Sequence, residues 1–267
     1  MTVFGEGGHG GAQEQWAVAA VAAESRRFVA LVEGADLSVS VPGCPGWTLL
    51  DLVRHTGSLQ RWFSVLLRTH VQEPPATRAV ELELPERDDA YGAWLAASAE
   101  LAARAFAEVD LDAPMWTWGA DPYARFWVRR MLHETLVHRV DAESALGLPS
   151  VIESASAADG VDEFLVNLPF ATPFAPGVAR LRGQGEVIRF RAVDSGREWL
   201  VRLRPDGFGL VGEARDGRAV EAADASVHGS AADLLLLLYG RLGRDSGGFE
   251  VAGDGELLER WFANSAF

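Results

Sequence analysis

The chain has 267 residues with 38 acidic and 24 basic side chains, a formal charge of −14, and every basic residue is an arginine. Without lysine there is no Schiff-base or pyridoxal-phosphate anchor and no Walker-type phosphate-binding lysine. With the single cysteine Cys44 there is no intrachain disulfide and no multi-cysteine zinc site. The acidic balance argues against a nucleic-acid partner, because such binding rests on neutralising phosphates. No apolar run approaches the roughly 20 residues of a membrane-spanning helix. The N-terminal MTVFGEGGHGGAQEQW lacks the basic flank and apolar stretch of a secretory signal. A cytoplasmic protein with a small-molecule ligand, and neither membrane nor nucleic acid as partner, is the expectation; monomer and homodimer both fit.

Residues 12 to 33 read as a helix, with Trp16, Ala19, Ala20, Ala23, Phe28 and Leu31 at helical spacing and no proline inside. A turn-rich stretch, Pro42-Gly43-Cys44-Pro45-Gly46, follows. Thr48 stands three residues before Asp51, a capping-box spacing that opens a second helix reaching Thr69. Leu52, His55, Leu59, Trp62 and Leu66 fall on one of its stripes. A third helix is expected from Arg87 to Val109, and a fourth from Tyr123 to Leu146, stopped by Gly147 with Pro149 beyond. A shorter helical piece, Ser154 to Asn167, ends before Pro169. Val187–Val193 and Trp199–Leu203 then read as strands flanking the turn Asp194-Ser195-Gly196. Short strands at 208–211, 226–228 and 249–251 and helices at 230–242 and 255–262 complete the pattern. The expected architecture is a four-helix bundle over 12–168 followed by a small α+β domain over 170–267.

The stretch from Arg129 to Asp141, RRMLHETLVHRVD, carries the most chemistry. It is not a zincin motif: His133 and His138 are five apart and point about 140° away from each other on a helix. Glu134 and His138 are four apart and share a face. Trp127, Met131, Glu134, His138, Asp141 and Ala145 form one stripe, so a carboxylate and an imidazole alternate with apolar residues on a face that should look inward. Burying a carboxylate costs several kcal/mol unless it is paired or metal-bound. His55 lies on the apolar stripe of the second helix, so two histidines and one glutamate can converge inside a bundle. Such a three-ligand site leaves a fourth position to water or substrate, as in catalytic zinc. Asp141, one turn beyond His138, could orient a ligating imidazole. The plainer reading stands beside it: His55 is an ordinary helix histidine and Glu134 pairs with Arg130 at i−4, worth about 0.3–0.5 kcal/mol if exposed. His133 is expected off the site, Cys44 reads as a small loop thiol in preference to a nucleophile, and Trp47 as a hydrophobic staple.

Two segments, Val41–Thr48 with Asp51-Leu52-Val53-Arg54-His55, and His133–Glu143, resemble the N-terminal domain of the mycothiol-dependent maleylpyruvate isomerase family, a DinB-like helical bundle. Ala157–Glu163 resembles the segment leaving that bundle, and Ala225–Leu242 its sterol-carrier-like C-terminal domain. The resemblance covers nearly the whole chain, with the motifs in order. It implies a divalent metal, usually zinc, held by a histidine of the second helix and by a glutamate and histidine four apart on the fourth. By motif these are His55, Glu134 and His138. It also implies that mycothiol, a low-molecular-weight thiol of actinobacteria, binds at the metal between the two domains.

A metal-bound thiol is deprotonated, and the thiolate is the nucleophile. In the isomerase reaction it would add to the conjugated double bond of maleylpyruvate, allow rotation, and leave. The carboxylates of such a substrate or of the thiol call for arginine, and Arg130 and Arg241 are the candidates. The same scaffold resembles mycothiol S-transferases, which conjugate the thiol to electrophiles. A third reading, of another class, is a non-catalytic metal-containing protein that binds a ligand in its second domain.

Overall fold

The computed structural model describes residues 8–75, 80–211 and 222–266, with side chains from residue 15 onward. Two compact units emerge, one built from the chain up to Thr117 together with Asp121–Ser150, the other from Trp118–Ala120 and Val151 onward.

The first unit is a four-helix bundle of α1 (Gly8–Val32), α2 (Leu49–Thr69), α3 (Tyr91–Glu108) and α4 (Arg125–Ala145). α1 packs on α3 and α4, and α2 packs on the same two helices. The capping box at the head of α2 forms as its spacing predicts: the Asp51 carboxylate accepts from the Thr48 backbone N–H at 2.9 Å, and Thr48 Oγ1 accepts from the Asp51 N–H at 3.3 Å. The third helix starts later than Arg87, because Asp88–Ala90 form a 3-10 turn ahead of it. α4 ends in a Schellman arrangement: Leu148 N–H donates to the Glu143 carbonyl and Gly147 N–H to that of Ser144, with Gly147 in the left-handed region that suits glycine. α2 and α3 approach closely because Gly57 has no side chain where the Trp94 ring lies.

α4 is buried along most of its length, which places two arginines and two histidines in the interior. Arg139 is compensated from both sides: Nε donates to Glu24 of α1 at 2.5 Å and Nη1 to Glu143, one turn on, at 2.7 Å. Charges buried this way are tolerated because each keeps an opposite partner. At the bundle's end the connection from α1 to α2 packs Leu37, Val39, Cys44 and Trp47 against a core of Phe28, Val32, Val41, Leu49, Leu52, Trp94 and Leu95.

The second unit contains α5 (Ser154–Asn167), α6 (Ala231–Leu238), α7 (Gly255–Asn264) and strands β1 (Val187–Ala192), β2 (Glu198–Arg204), β3 (Gly207–Leu210), β4 (Ala225–Gly229) and β5 (Glu250–Gly253). The strands form a mixed sheet in the order β3-β2-β1-β4-β5, with β1 and β4 parallel and the other pairs antiparallel. α5 packs on α6 and β3, so it groups with this unit and not with the bundle, where the sequence reading put it. The helix expected over 230–242 closes at Leu238, because Gly240 takes the left-handed conformation and Arg241 N–H donates to the Leu236 carbonyl. Asp254 caps α7 by accepting from the N–H groups of Glu256 and Leu257. Among the described residues no helix is long and apolar enough to cross a membrane.

The Glu24–Arg139 pair supplies a test of this packing. Glu24→Ala should lower the unfolding free energy by about 3 kcal/mol, since it strips one partner from a buried charge. Arg27→Ala, which removes only an exposed arginine from the same carboxylate, should cost less than about 1 kcal/mol. Urea denaturation of both variants measures the difference.

Candidate metal centre

α2 and α4 lie side by side, so the apolar stripes that carry His55 and Glu134/His138 face one another. One donor atom each from His55, Glu134 and His138 lies within 4.8 Å of the others. His138 Nε2 is 3.4 Å from Glu134 Oε2. The imidazoles of His55 and His138 meet edge to face, with centroids 5.0 Å apart. Four apart on one helix, Glu134 and His138 reach the same point, and His55 reaches it from the neighbouring helix.

The other ring nitrogen of His138 is also engaged. Nδ1 is 3.0 Å from Asp141 Oδ2, a carboxylate only 1% exposed. The carboxylate can only accept, so a proton on Nδ1 donates to it, and in that tautomer of the neutral ring the Nε2 lone pair faces Glu134 and His55. The Cys44 thiol donates to the same Oδ2 at 3.4 Å. Trp47 covers both imidazoles, 5.1 Å from His55 and 6.4 Å from His138 between centroids, and nearly parallel to the latter. On the opposite side, Arg130 Nη2 stands 3.5 Å from Glu134 Oε1.

This electrostatic frame favours charge on both groups. Burial alone would raise the Glu134 carboxyl, but Arg130 beside it, the hydrogen bond from His138 and the charges of His138 and His55 hold it well below the usual carboxylate range. Burial likewise opposes a charged His138, yet its bonds to Asp141, Cys44 and Glu134 hold its pKa well above the ordinary imidazole value.

The donor set fits a divalent metal. Tetrahedral zinc with bonds of about 2.1 Å holds neighbouring donors about 3.4 Å apart, the separation already present between Glu134 and His138. Two imidazoles and a carboxylate suit zinc and leave one position of a tetrahedron for water or a thiol. Asp141 would supply the outer hydrogen bond that ligating histidines generally have.

Residues 18–143 match the mycothiol maleylpyruvate isomerase N-terminal domain, and residues 155–260 match the MDMPI C-terminal domain. The chain belongs to the mycothiol-dependent maleylpyruvate isomerase family. Its fold agrees. The crystal structure of the mycothiol-dependent maleylpyruvate isomerase is similar at a TM-score of 0.58 and 16% identity, covering 90% of this chain and 92% of that one. That of a histidine-to-alanine variant is similar at 0.60 and 14%, with the same coverage. The relatives in this family comparison are enzymes. No curated protein sequence matches the chain.

Of the residues singled out in the sequence, the bundle brings His55, Arg130, Glu134, His138 and Asp141 together. Arg130 is 1% exposed and turned onto Glu134, so the i−4 pair forms, but inside the protein and not on its surface. Arg241 lies in the other unit, just past α6, where its Nη1 donates to the Tyr239 carbonyl at 2.7 Å. His133 is fully buried yet outside the donor group. Cys44 and Trp47 are what sequence reasoning missed. Their signal was adjacency, since both stand in the turn that leads into the helix carrying His55.

The pair of shifted groups has a consequence for the metal-free protein. A raised imidazole contributes stability that is complete below 6.5 and is lost as pH rises through the folded value; a lowered carboxylate contributes stability that is complete above 4.5 and is lost as pH falls. In excess chelator the melting temperature should therefore decline as pH is raised above about 6.5. His138→Gln should flatten that slope in calorimetry. A slope unchanged by this variant would assign the titration to another group.

Proposed function

We propose that the chain is a metal-dependent enzyme that uses mycothiol, with isomerisation of maleylpyruvate or a closely related unsaturated acid as its reaction. One observation carries the reading: on a chain of this family, two imidazoles and a carboxylate converge with one imidazole already oriented by a buried carboxylate. His55, Glu134 and His138 are the proposed ligands, and zinc is the proposed metal. The metal would acidify a thiol and mycothiol would bring the nucleophilic sulfur, so that addition to and elimination from a conjugated double bond needs no nucleophile of the protein's own.

The chain's residues then have distinct tasks. Asp141 keeps the His138 proton on Nδ1 and its lone pair toward the metal position. Arg130 offsets the Glu134 charge, which keeps that carboxylate ionised although it is half-buried. Trp47 covers the two rings and limits water beside them. Arg241 stays our candidate for a carboxylate of substrate or thiol, as a fork suited to planar anions.

The deciding experiment incubates zinc-loaded protein with mycothiol and maleylpyruvate, and reads products by absorbance and mass. Fumarylpyruvate with mycothiol regenerated is the expected result. A stable thiol adduct would instead make the chain an S-transferase, and neither product, with zinc bound, would favour a non-catalytic ligand-binding protein. His138→Ala should lose stoichiometric zinc in metal analysis after dialysis; full occupancy in that variant would overturn the ligand assignment.

A further inference from the structure

The turn before α2 is held by its own backbone. Val41 N–H donates to the Trp47 carbonyl at 2.9 Å, Cys44 N–H to Val41 at 3.1 Å, and Trp47 N–H to Cys44 at 3.0 Å. Pro42 and Pro45 stiffen it, and Gly46 takes a left-handed conformation at φ 85°. The closed loop delivers two side chains to the same place. Trp47 reaches the faces of His55 and His138, and Cys44 Sγ reaches Asp141.

Asp141 Oδ2 accepts from two donors on different elements, the His138 ring and the Cys44 thiol. The terminal torsion of an Asp side chain is broad and leaves its oxygens some freedom. A second donor fixed by a closed turn removes that freedom, leaving Oδ2 where His138 Nδ1 needs it. It also helps to satisfy a carboxylate that is 1% exposed and would be costly to bury with few partners. The sulfur contact at 3.4 Å is long, as expected for a weak S–H donor, and matters through geometry more than through strength.

We infer that Cys44 is a positioning residue: its thiol pins the Asp141 oxygen that orients His138. The inference rests on the metal reading above for its consequence, though not for its geometry. Cys44 then acts on His138 through Asp141 and through its own bond to that ring, with no contact to metal, mycothiol or substrate required.

The test is a double-mutant cycle on the full chain, with zinc affinity measured by chelator competition. Cys44→Ala should weaken zinc about tenfold and Asp141→Ala by up to about 100-fold, the range seen when outer partners of ligating histidines are removed. The double variant should lose less affinity than the product of the two single losses. An unchanged affinity in Cys44→Ala, or a full tenfold further loss in the double variant, would overturn the inference. A second readout needs no metal. In chelator-treated protein the ring-nitrogen NMR spectrum of His138 should show an Nδ1-bound proton that exchanges faster in Cys44→Ala; identical spectra and exchange would count against the role. Wild-type protein that takes up no zinc would defeat the metal reading, while the metal-free spectra would still decide this one.

Discussion

A half-buried carboxylate facing an imidazole inside a helical bundle is the constraint around which this molecule is organised. Glu134 and His138 occupy a stripe that would otherwise be filled by aliphatic residues, so each must be compensated locally. Compensation comes from three directions: Arg130 one turn back on the same helix, His55 across the α2–α4 contact, and Asp141 one turn on. None of these works unless α2 and α4 keep their register. The capping box at Thr48 and Asp51 starts α2 at a defined residue, and Gly57 lets α2 settle against Trp94 of α3. The Glu24–Arg139–Glu143 cluster ties α1 to the far face of α4. Packing and chemistry are therefore one problem here, because the interactions that hold α4 in place also set where its donors point.

Much of this was legible in the sequence because it is written in local spacing. A capping residue marks where α2 begins and a terminal glycine where α4 ends, and an i, i+4 pair must share a face wherever the helix lies. That is why His55, Glu134, His138 and Asp141 could be nominated before any coordinates. What spacing does not contain is the identity of the surface that an element will meet. The helix Ser154–Asn167 was found with both ends correct and yet assigned to the wrong core, since an apolar stripe is equally content against a bundle or against α6. The contact between Cys44 and Asp141 spans 97 residues of sequence. Trp47 read as a staple for the same reason: beside a helix start, local packing is the default, and only the fold shows that the ring reaches two imidazoles.

The two nitrogens of His138 divide its surroundings into two donor groups, His55 with Glu134 on one side and Cys44 with Asp141 on the other. Both are close enough to tempt a metal, and charge separates them. To ligate from the second group, Cys44 would have to give up its proton beside Asp141, leaving two anions in a buried space with His138 as the only counter-charge in that group. In the first group the single anion, Glu134, already has Arg130 against its outer oxygen, and the remaining donors are imidazoles, which would ligate in their neutral form. Binding on the Nε2 side also leaves Asp141 free to hold the Nδ1 proton, whereas binding on the Nδ1 side would remove the interaction that orients the ring. On these grounds our reading puts the ion with His55 and Glu134 and leaves the one cysteine of the chain as a donor to a carboxylate. A protein with no lysine and a single cysteine turned onto a carboxylate can still run nucleophilic chemistry, provided that the sulfur arrives with a small thiol and the metal ligands are held still enough to receive it.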